Sequence, residues 1–364
     1  VARKRPVRRA GRVVVLEHAS AVLRDNPLGD PHVRPVTAWL PAEYDGQRRF
    51  PVLFCLAGFT GSGPARLNWQ PFEENLAERL ARLVAAGAMP PVIVVLPDCF
   101  TALGGNQYSN SPAVGRYADY LVRELVPCVD REFRTRRGRE HRGVFGKSSG
   151  GYGAMVHGMR YPGTWGAVAN HSGDAAFDVV YRGEWPATLD ELARHRRPAR
   201  RPGPWDGRRA AAPDLARGHD DGRVRRFLAA VWSRPKLTSA ESLALMNVAM
   251  AATYDPDPAA PLGFRLPVHA ETGELIPANW RRWLAHDPVN LVARHARALR
   301  SLRALYLDCG WRDQFHAHYG LRTLARRLAA ARVPHRYEEF DDTHSGIDYR
   351  LDVSLPYLAR ALDR

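Results

Sequence analysis

The sequence predicts an α/β protein built on a mostly parallel sheet with helices on both faces. Three observations carry this. Short apolar runs, too continuous for half-exposed strands, recur along the 364 residues. Stretches with helical apolar spacing separate them. The two alternate in order, as crossovers between parallel strands require.

Taken along the chain, "GRVVVLEHASAVL" and "RPVTAWLPAEYDG" read as β-rich, with Asp-Gly closing a turn. "RFPVLFCLAG" suits a central strand covered on both faces. "WQPFEENLAERLARLVAAG" has helical spacing and ends on Gly87, where a C-terminal capping glycine is expected. "PPVIVVLPD" repeats the buried-strand signature, and "VGRYADYLVRELVPCVDREF" is again helical. "HRGVFG" is a strand and "SGGYGAMVHGMRYP" a helix stopped by Pro162. "GAVANHSG" and "LRALYLDCG" are further strands, and "FHAHYGLRTLARRLAAARV" is a helix. "HRYEEF" and "LDVSLPYLARAL" form a last strand and helix.

The rhythm breaks between about 176 and 298. An Arg/Pro/Gly-rich stretch, "RHRRPARRPGPWDGRR", precedes the helix-like "VRRFLAAVW", "SAESLALMNVAMAA" and "ANWRRWLAHDPVNLVARHARAL". The expected organisation is a basic N-terminal tail at 1–12, a core at 13–175 and 299–364, and an inserted cap or lid at 176–298. The cap is expected over the strand ends.

Composition narrows the function classes. With 45% hydrophobic and 25% charged residues the chain has a globular mixture. The net charge of +15 invites a nucleic-acid reading. Its excess is concentrated, however: residues 1–12 hold six Arg/Lys without an acid, and residues 182–209 hold eight Arg against four acids. No basic stripe regularly interleaved with aromatics and no zinc-finger or RNA-binding sheet motif occurs, so a solvated Arg-rich surface is favoured over a nucleic-acid site. Cys55, Cys99, Cys128 and Cys309 are widely spaced, as expected of reduced, mostly buried thiols. No apolar run approaches the length of a membrane span. A cytoplasmic location is the expectation, with a removed leader left open because the chain begins with Val. Association of copies as a homo-oligomer is also left open.

Chemistry concentrates at Gly146-Lys147-Ser148-Ser149-Gly150, which fits G-x-S-x-G. In that motif a serine nucleophile occupies a strained strand-to-helix turn, and glycines admit close backbone approach. Here it lies between an expected strand and an expected helix. A glycine-rich turn capped by serine is the plainer alternative. A serine hydroxyl needs a base, and the base needs an orienting acid. His344 in "FDDTHSGID" follows one late strand, and Asp313 in "LDCGWRDQF" follows another. Asp308 is the rival acid, but it lies at a strand end and is expected to make a structural contact. Asp341 and Asp342 stand too close to His344 and read as turn caps. His316 and His318 read as helix-surface residues; no carboxylate motif completes a metal site, and no cofactor is expected. The developing oxyanion needs donors. The N–H of Ser149 is one, and "LAGFTGSG" supplies the other through Phe59, with Thr60 as rival.

The segments "NPLGDPHVRPVTAWLPAEYD", "FPVLFCLAGFTG", "GGNQYSNS", "GVFGKSSGGYGAM", "LDCGWRDQF" and "DDTHSG" together resemble the putative-esterase (esterase D-like) family of α/β-hydrolases. The resemblance covers most of 13–175 and 300–362. It implies an α/β-hydrolase fold with Ser148 as nucleophile, Asp313 as acid and His344 as base. Lys147 departs from the uncharged residue or His frequent at its position, and "HSGID" lacks the Trp many members carry after the His.

The expected activity is a serine carboxylic-ester hydrolase acting on a small-molecule ester through an acyl-enzyme. Alternatives on the same triad are acyl transfer and thioester hydrolysis of the S-formylglutathione type; a non-catalytic binding protein is a further alternative. Asn106 and Tyr108 of "GGNQYSNS" are candidates to line the acyl or alcohol pocket, or else to brace the core loops. The Trp- and Met-bearing cap segments "NWRRWL" and "LMNVAM" offer an apolar wall, or pack within the cap.

Overall fold

The computed structural model describes residues 11–197 and 213–364. The expected basic tail at 1–12, apart from its last two residues, and the Arg-rich stretch from 198 to 209 lie outside the described residues.

Eight of the described strands form one sheet, and the short pair Asn110–Ser111 and Gly115–Arg116 forms a separate two-stranded one. In chain order the eight are β1 (Arg12–Ala19), β2 (Val33–Leu40), β3 (Val52–Leu56), β4 (Ile93–Pro97), β5 (Arg142–Lys147), β6 (Ala167–His171), β7 (Ala304–Gly310) and β8 (Arg336–Phe340). Their spatial order is β1-β2-β4-β3-β5-β6-β7-β8. The first two strands are antiparallel to their neighbours, and β3 to β8 run parallel. Five residues in a row are buried in each of β3, β4 and β6, as the apolar runs predict. Each fully buried Val, Leu, Ile or Phe there contributes about 1.5–3 kcal/mol. The half-exposed edge strand β1 alternates instead.

Helices α1 (Leu76–Ala85), α2 (Val126–Glu132), α3 (Ser149–Arg160), α4 (Trp185–Ala193), α5 (Arg223–Ser233), α6 (Ser239–Tyr254), α7 (Pro277–Leu284), α8 (Pro288–Arg300), α9 (Ala317–Ala330) and α10 (Leu351–Asp363) complete the layers. One buried cluster fills the face carrying α3, and a second lies between the sheet, α1 and α10. The helix expected from Trp69 starts only at Leu76. Asn75 caps it: the Asn75 side chain accepts from Glu78 N–H at 2.9 Å, and the Glu78 carboxylate accepts from Asn75 N–H at 3.0 Å. Trp69 and Phe72 lie outside the helix and are exposed. Gly87 follows α1 with φ of 66°, the left-handed conformation expected there.

Between β6 and β7 the chain makes the long excursion that the broken rhythm signals. The stretch read as one piece around "WLAHDPVNL" is two helices, α7 and α8, parted at Asp287 and Pro288. The Asp287 carboxylate accepts from the N–H groups of Val289, Ala176 and Phe177, which ties the start of α8 to the chain leaving β6. Helix α8 packs along α3 and α9, whereas α4, α5 and α7 pack around α6. All four cysteines are buried and unpaired. Among the described residues no helix is long and apolar enough to cross a membrane.

Candidate active site

Ser148 sits between the end of β5 and the first turn of α3 with φ of 58° and ψ of −125°. A side chain held there carries roughly 1–3 kcal/mol of strain, so the surroundings must enforce it. They do so by crowding. A Cβ on Gly150 would lie 2.1 Å from the Leu56 carbonyl oxygen, and one on Gly146 would lie 2.5 Å from Gly150 backbone. The G-x-S-x-G glycines are thus fixed by the closeness of β3 to the turn. Ser148 N–H donates to the His171 carbonyl at 2.9 Å, and Ser148 C=O accepts from Tyr152 N–H at 2.9 Å.

Asp313 lies in the loop after β7 and His344 in the loop after β8. The two meet, with Asp313 Oδ2 2.6 Å from His344 Nδ1. Asp313 Oδ1 accepts from Phe315 N–H at 2.9 Å. Burial alone would raise the Asp313 pKa; the hydrogen bond and charge of His344, with backbone N–H groups of Phe315 and Ala317, outweigh it and hold the carboxyl below its ordinary range. The ionised Asp313 fixes the proton on Nδ1 and leaves Nε2 as the acceptor. Gln314 Oε1 accepts from His344 N–H at 3.0 Å, and Phe315 stands edge-on to the imidazole at 4.8 Å.

Ser148 and His344 open into one cavity of about 740 Å³. Phe59 and Thr60 line it beside Gly58, which faces Ser148 so closely that an added Cβ would be 3.5 Å from the serine Cβ. Phe59 is held from behind: a Cβ on Gly105 would come within 2.3 Å of the Phe59 Cα. Ser149 is buried, and its hydroxyl accepts from Gln107 Nε2 at 2.7 Å. Its backbone N–H opens the twelve-residue α3, where the helix presents unpaired donors.

Asn106 and Tyr108 are buried and are not among the residues lining the cavity. Tyr108 O–H donates to the Ala57 carbonyl at 2.6 Å, and Asn106 Oδ1 accepts from Tyr108 N–H at 2.5 Å. His157 Nε2 is 2.8 Å from the Tyr108 carbonyl, which ties the same loop to α3. This geometry fits the bracing alternative, because the tyrosine turns inward toward the loop that carries Phe59.

The rival acid Asp308 is fully buried and engages His171 Nδ1 at 2.6 Å, while His171 Nε2 meets Ser354 Oγ at 2.9 Å. Both imidazole nitrogens are thereby committed, so this second His–Asp pair braces β6 and β7 against α10. Asp342 accepts from Thr343 N–H at 2.7 Å, as a turn cap does, while the Asp341 carboxylate pairs with Arg312 at 2.7 Å. His316 takes the left-handed conformation before α9, and His318 packs on Tyr319 at 4.1 Å. Among the described residues no group of three or more His, Cys, Asp or Glu could hold a metal ion.

The excursion between β6 and β7 contributes Leu237, Leu243 and Met246 to the cavity wall. None of its described tryptophans lines the cavity: Trp280 and Trp283 stack with each other at 5.5 Å, and Trp185 stands edge-on to Trp283 at 5.8 Å. Lys147, Arg66 and Asp348 also line the cavity. Sequence reasoning missed this cluster apart from the oddity of Lys147. Asp174, near His344, was also missed; burial pushes its carboxyl up to about 6, against the lowering effects of the Tyr181 hydroxyl and His344.

A family model described as "Putative esterase" matches residues 31–354. Two esterases of Mycobacterium tuberculosis are each 30% identical over 148 residues, 39% of this chain. The matched region spans only 29% of those relatives' own length. A solved ferulic acid esterase superposes with a TM-score of 0.59 at 19% identity, covering 96% of this chain and 98% of the other. An S-formylglutathione hydrolase of Staphylococcus aureus superposes with a TM-score of 0.52 at 13% identity, covering 96% and 98%. At such identities these structures establish the shared fold alone.

Proposed function

Since the chain belongs to the putative-esterase family, which matches it over residues 31–354, we propose that it is a serine carboxylic-ester hydrolase acting through Ser148, His344 and Asp313. The observation that carries this reading is the buried Asp313–His344 pair opening into the same cavity as the strained Ser148. A retired site has no reason to retain that strain.

In the reaction, His344 Nε2 takes the Ser148 Oγ proton as Oγ bonds to the acyl carbon. The carbonyl electron pair moves onto oxygen, where the N–H groups of Phe59 and Ser149 hold it. One such donor is worth roughly 10²–10³ in rate. Collapse breaks the ester bond, and the departing alkoxide takes the proton back from His344. Water then attacks the acyl-Ser148 ester with His344 again as base, and a second collapse frees the acid. Asp313 keeps Nδ1 protonated throughout and stabilises the imidazolium. Transfer to another acceptor differs only in what attacks the acyl-enzyme.

In this reading residues 176–298 form an inserted cap, apart from the part of α8 that packs on α3 and α9, and its Leu237, Leu243 and Met246 line the cavity. Asn106 and Tyr108 act from behind, holding the Phe59 loop. The test is hydrolysis of p-nitrophenyl esters from acetyl to palmitoyl. Turnover with a chain-length optimum supports the reading; a folded protein that hydrolyses none of them, with or without an added alcohol acceptor, overturns it.

A further inference from the structure

The cavity that holds Ser148 is also lined by three charged residues, Lys147, Arg66 and Asp348, from β5, the loop after β3 and the chain just before α10. Arg66 and Asp348 neutralise each other through an ion pair of 3.1 Å. Lys147 forms no ion pair among the described residues, so this trio carries one uncompensated positive charge. That charge is placed with unusual economy. Lys147 immediately precedes the nucleophile, and consecutive Cα atoms are about 3.8 Å apart.

We propose that Lys147 is a carboxylate-binding subsite, so that the natural substrate is an ester carrying a carboxylate a few atoms from its scissile carbonyl. This deepens the proposed ester hydrolysis and rests on it.

Two further observations agree. Burial disfavours the Lys147 ammonium and nearby Arg66 adds repulsion, while Asp348 and Asp313 only partly offset them; a bound anion would relieve that imbalance. The same cavity also has apolar lining, Leu243, Met246 and Phe315 among it. An ester with a short hydrocarbon spacer and an ionised end matches this mixed lining, whereas a wholly neutral chain leaves the ammonium desolvated and unpaired.

The test compares monomethyl glutarate with methyl valerate, and 4-acetoxybutanoate with butyl acetate, by titrating released acid. The first pair places the carboxylate on the acyl side and the second on the alcohol side. The expected result is a preference for the anionic member of one pair. Lys147→Met should reduce that kcat/KM ratio by about 10–100-fold, chiefly through KM, and Lys147→Arg should restore much of it. Equal or lower rates for both anionic esters, with a ratio insensitive to Lys147→Met, would overturn the subsite and leave ester hydrolysis standing. Calorimetric binding of monomethyl glutarate to Ser148→Ala separates the two readings. Lys147-dependent binding without any wild-type turnover keeps the subsite and removes the hydrolase; neither binding nor turnover removes both.

Discussion

His344 Nδ1 and Asp313 Oδ2 lie 2.6 Å apart across 31 residues of sequence, each on a loop at the end of a neighbouring parallel strand. The pairing of β7 with β8 brings the loops together, and the hydrogen bond orients the imidazole. Asp313→Asn should keep the fold but favour the wrong tautomer, lowering kcat by about 10³–10⁴-fold. Steady-state kinetics with an unchanged circular dichroism spectrum checks this.

Gly105 lies where a Cβ would strike the backbone of Phe59 at 2.3 Å. Gly105→Ala should displace the Phe59 N–H from the oxyanion position and lower kcat roughly 10²–10³-fold. KM should move much less, since the donor acts on charge that appears in the transition state. A rise in KM with intact kcat would place Phe59 in substrate binding instead.

Tyr108 donates its hydroxyl to Ala57 C=O in a buried setting. Tyr108→Phe leaves that carbonyl unpaired and should destabilise the protein by about 1–3 kcal/mol. Urea unfolding measures the loss. A change confined to KM, with stability untouched, would return Tyr108 to the pocket wall.

Glu184 precedes α4, and burial pushes its carboxyl up to about 7 from 4.5, with Asn247 opposing. One buried oxygen, Oε2, has no hydrogen-bond partner among the described residues. The folded state therefore holds this proton after the unfolded chain has released it. Its favourable contribution is complete below the unfolded pKa and is lost as pH rises through about 7. Glu184→Gln should match wild type near about pH 4 and exceed it by about 1–3 kcal/mol at about pH 8. Urea midpoints across that range check the sign.

Much of this was legible in the sequence, for identifiable reasons. Parallel strands buried on both faces leave continuous apolar runs, so β3, β4 and β5 could be read directly. The strained turn at Ser148 demands glycines at fixed offsets, which made it visible. Asp313 was separable from Asp308 because a loop residue can reach a neighbouring loop while a strand-end residue is held in the sheet. The late start of α1 was legible but unread, since Asn75 and Glu78 spell a capping box. Other contacts leave no local trace. Arg66 and Asp348 are 282 residues apart, and Gln107 reaches Ser149 across 42. Nor does a Gly-flanked Asn-Gln-Tyr reveal which way the tyrosine turns. The membership of α8 in the core depends on packing against α3 and α9, which its amphipathic pattern leaves unspecified.

Hydrolysis of p-nitrophenyl butyrate by wild type and Ser148→Ala tests the assignment of Ser148 as nucleophile. Intact mass is measured in parallel after treatment with a fluorophosphonate. The expected result is turnover and a single covalent adduct in the wild type, with a loss of at least about 10³-fold and no adduct in the folded variant. Retained hydrolysis or an adduct in Ser148→Ala would contradict it.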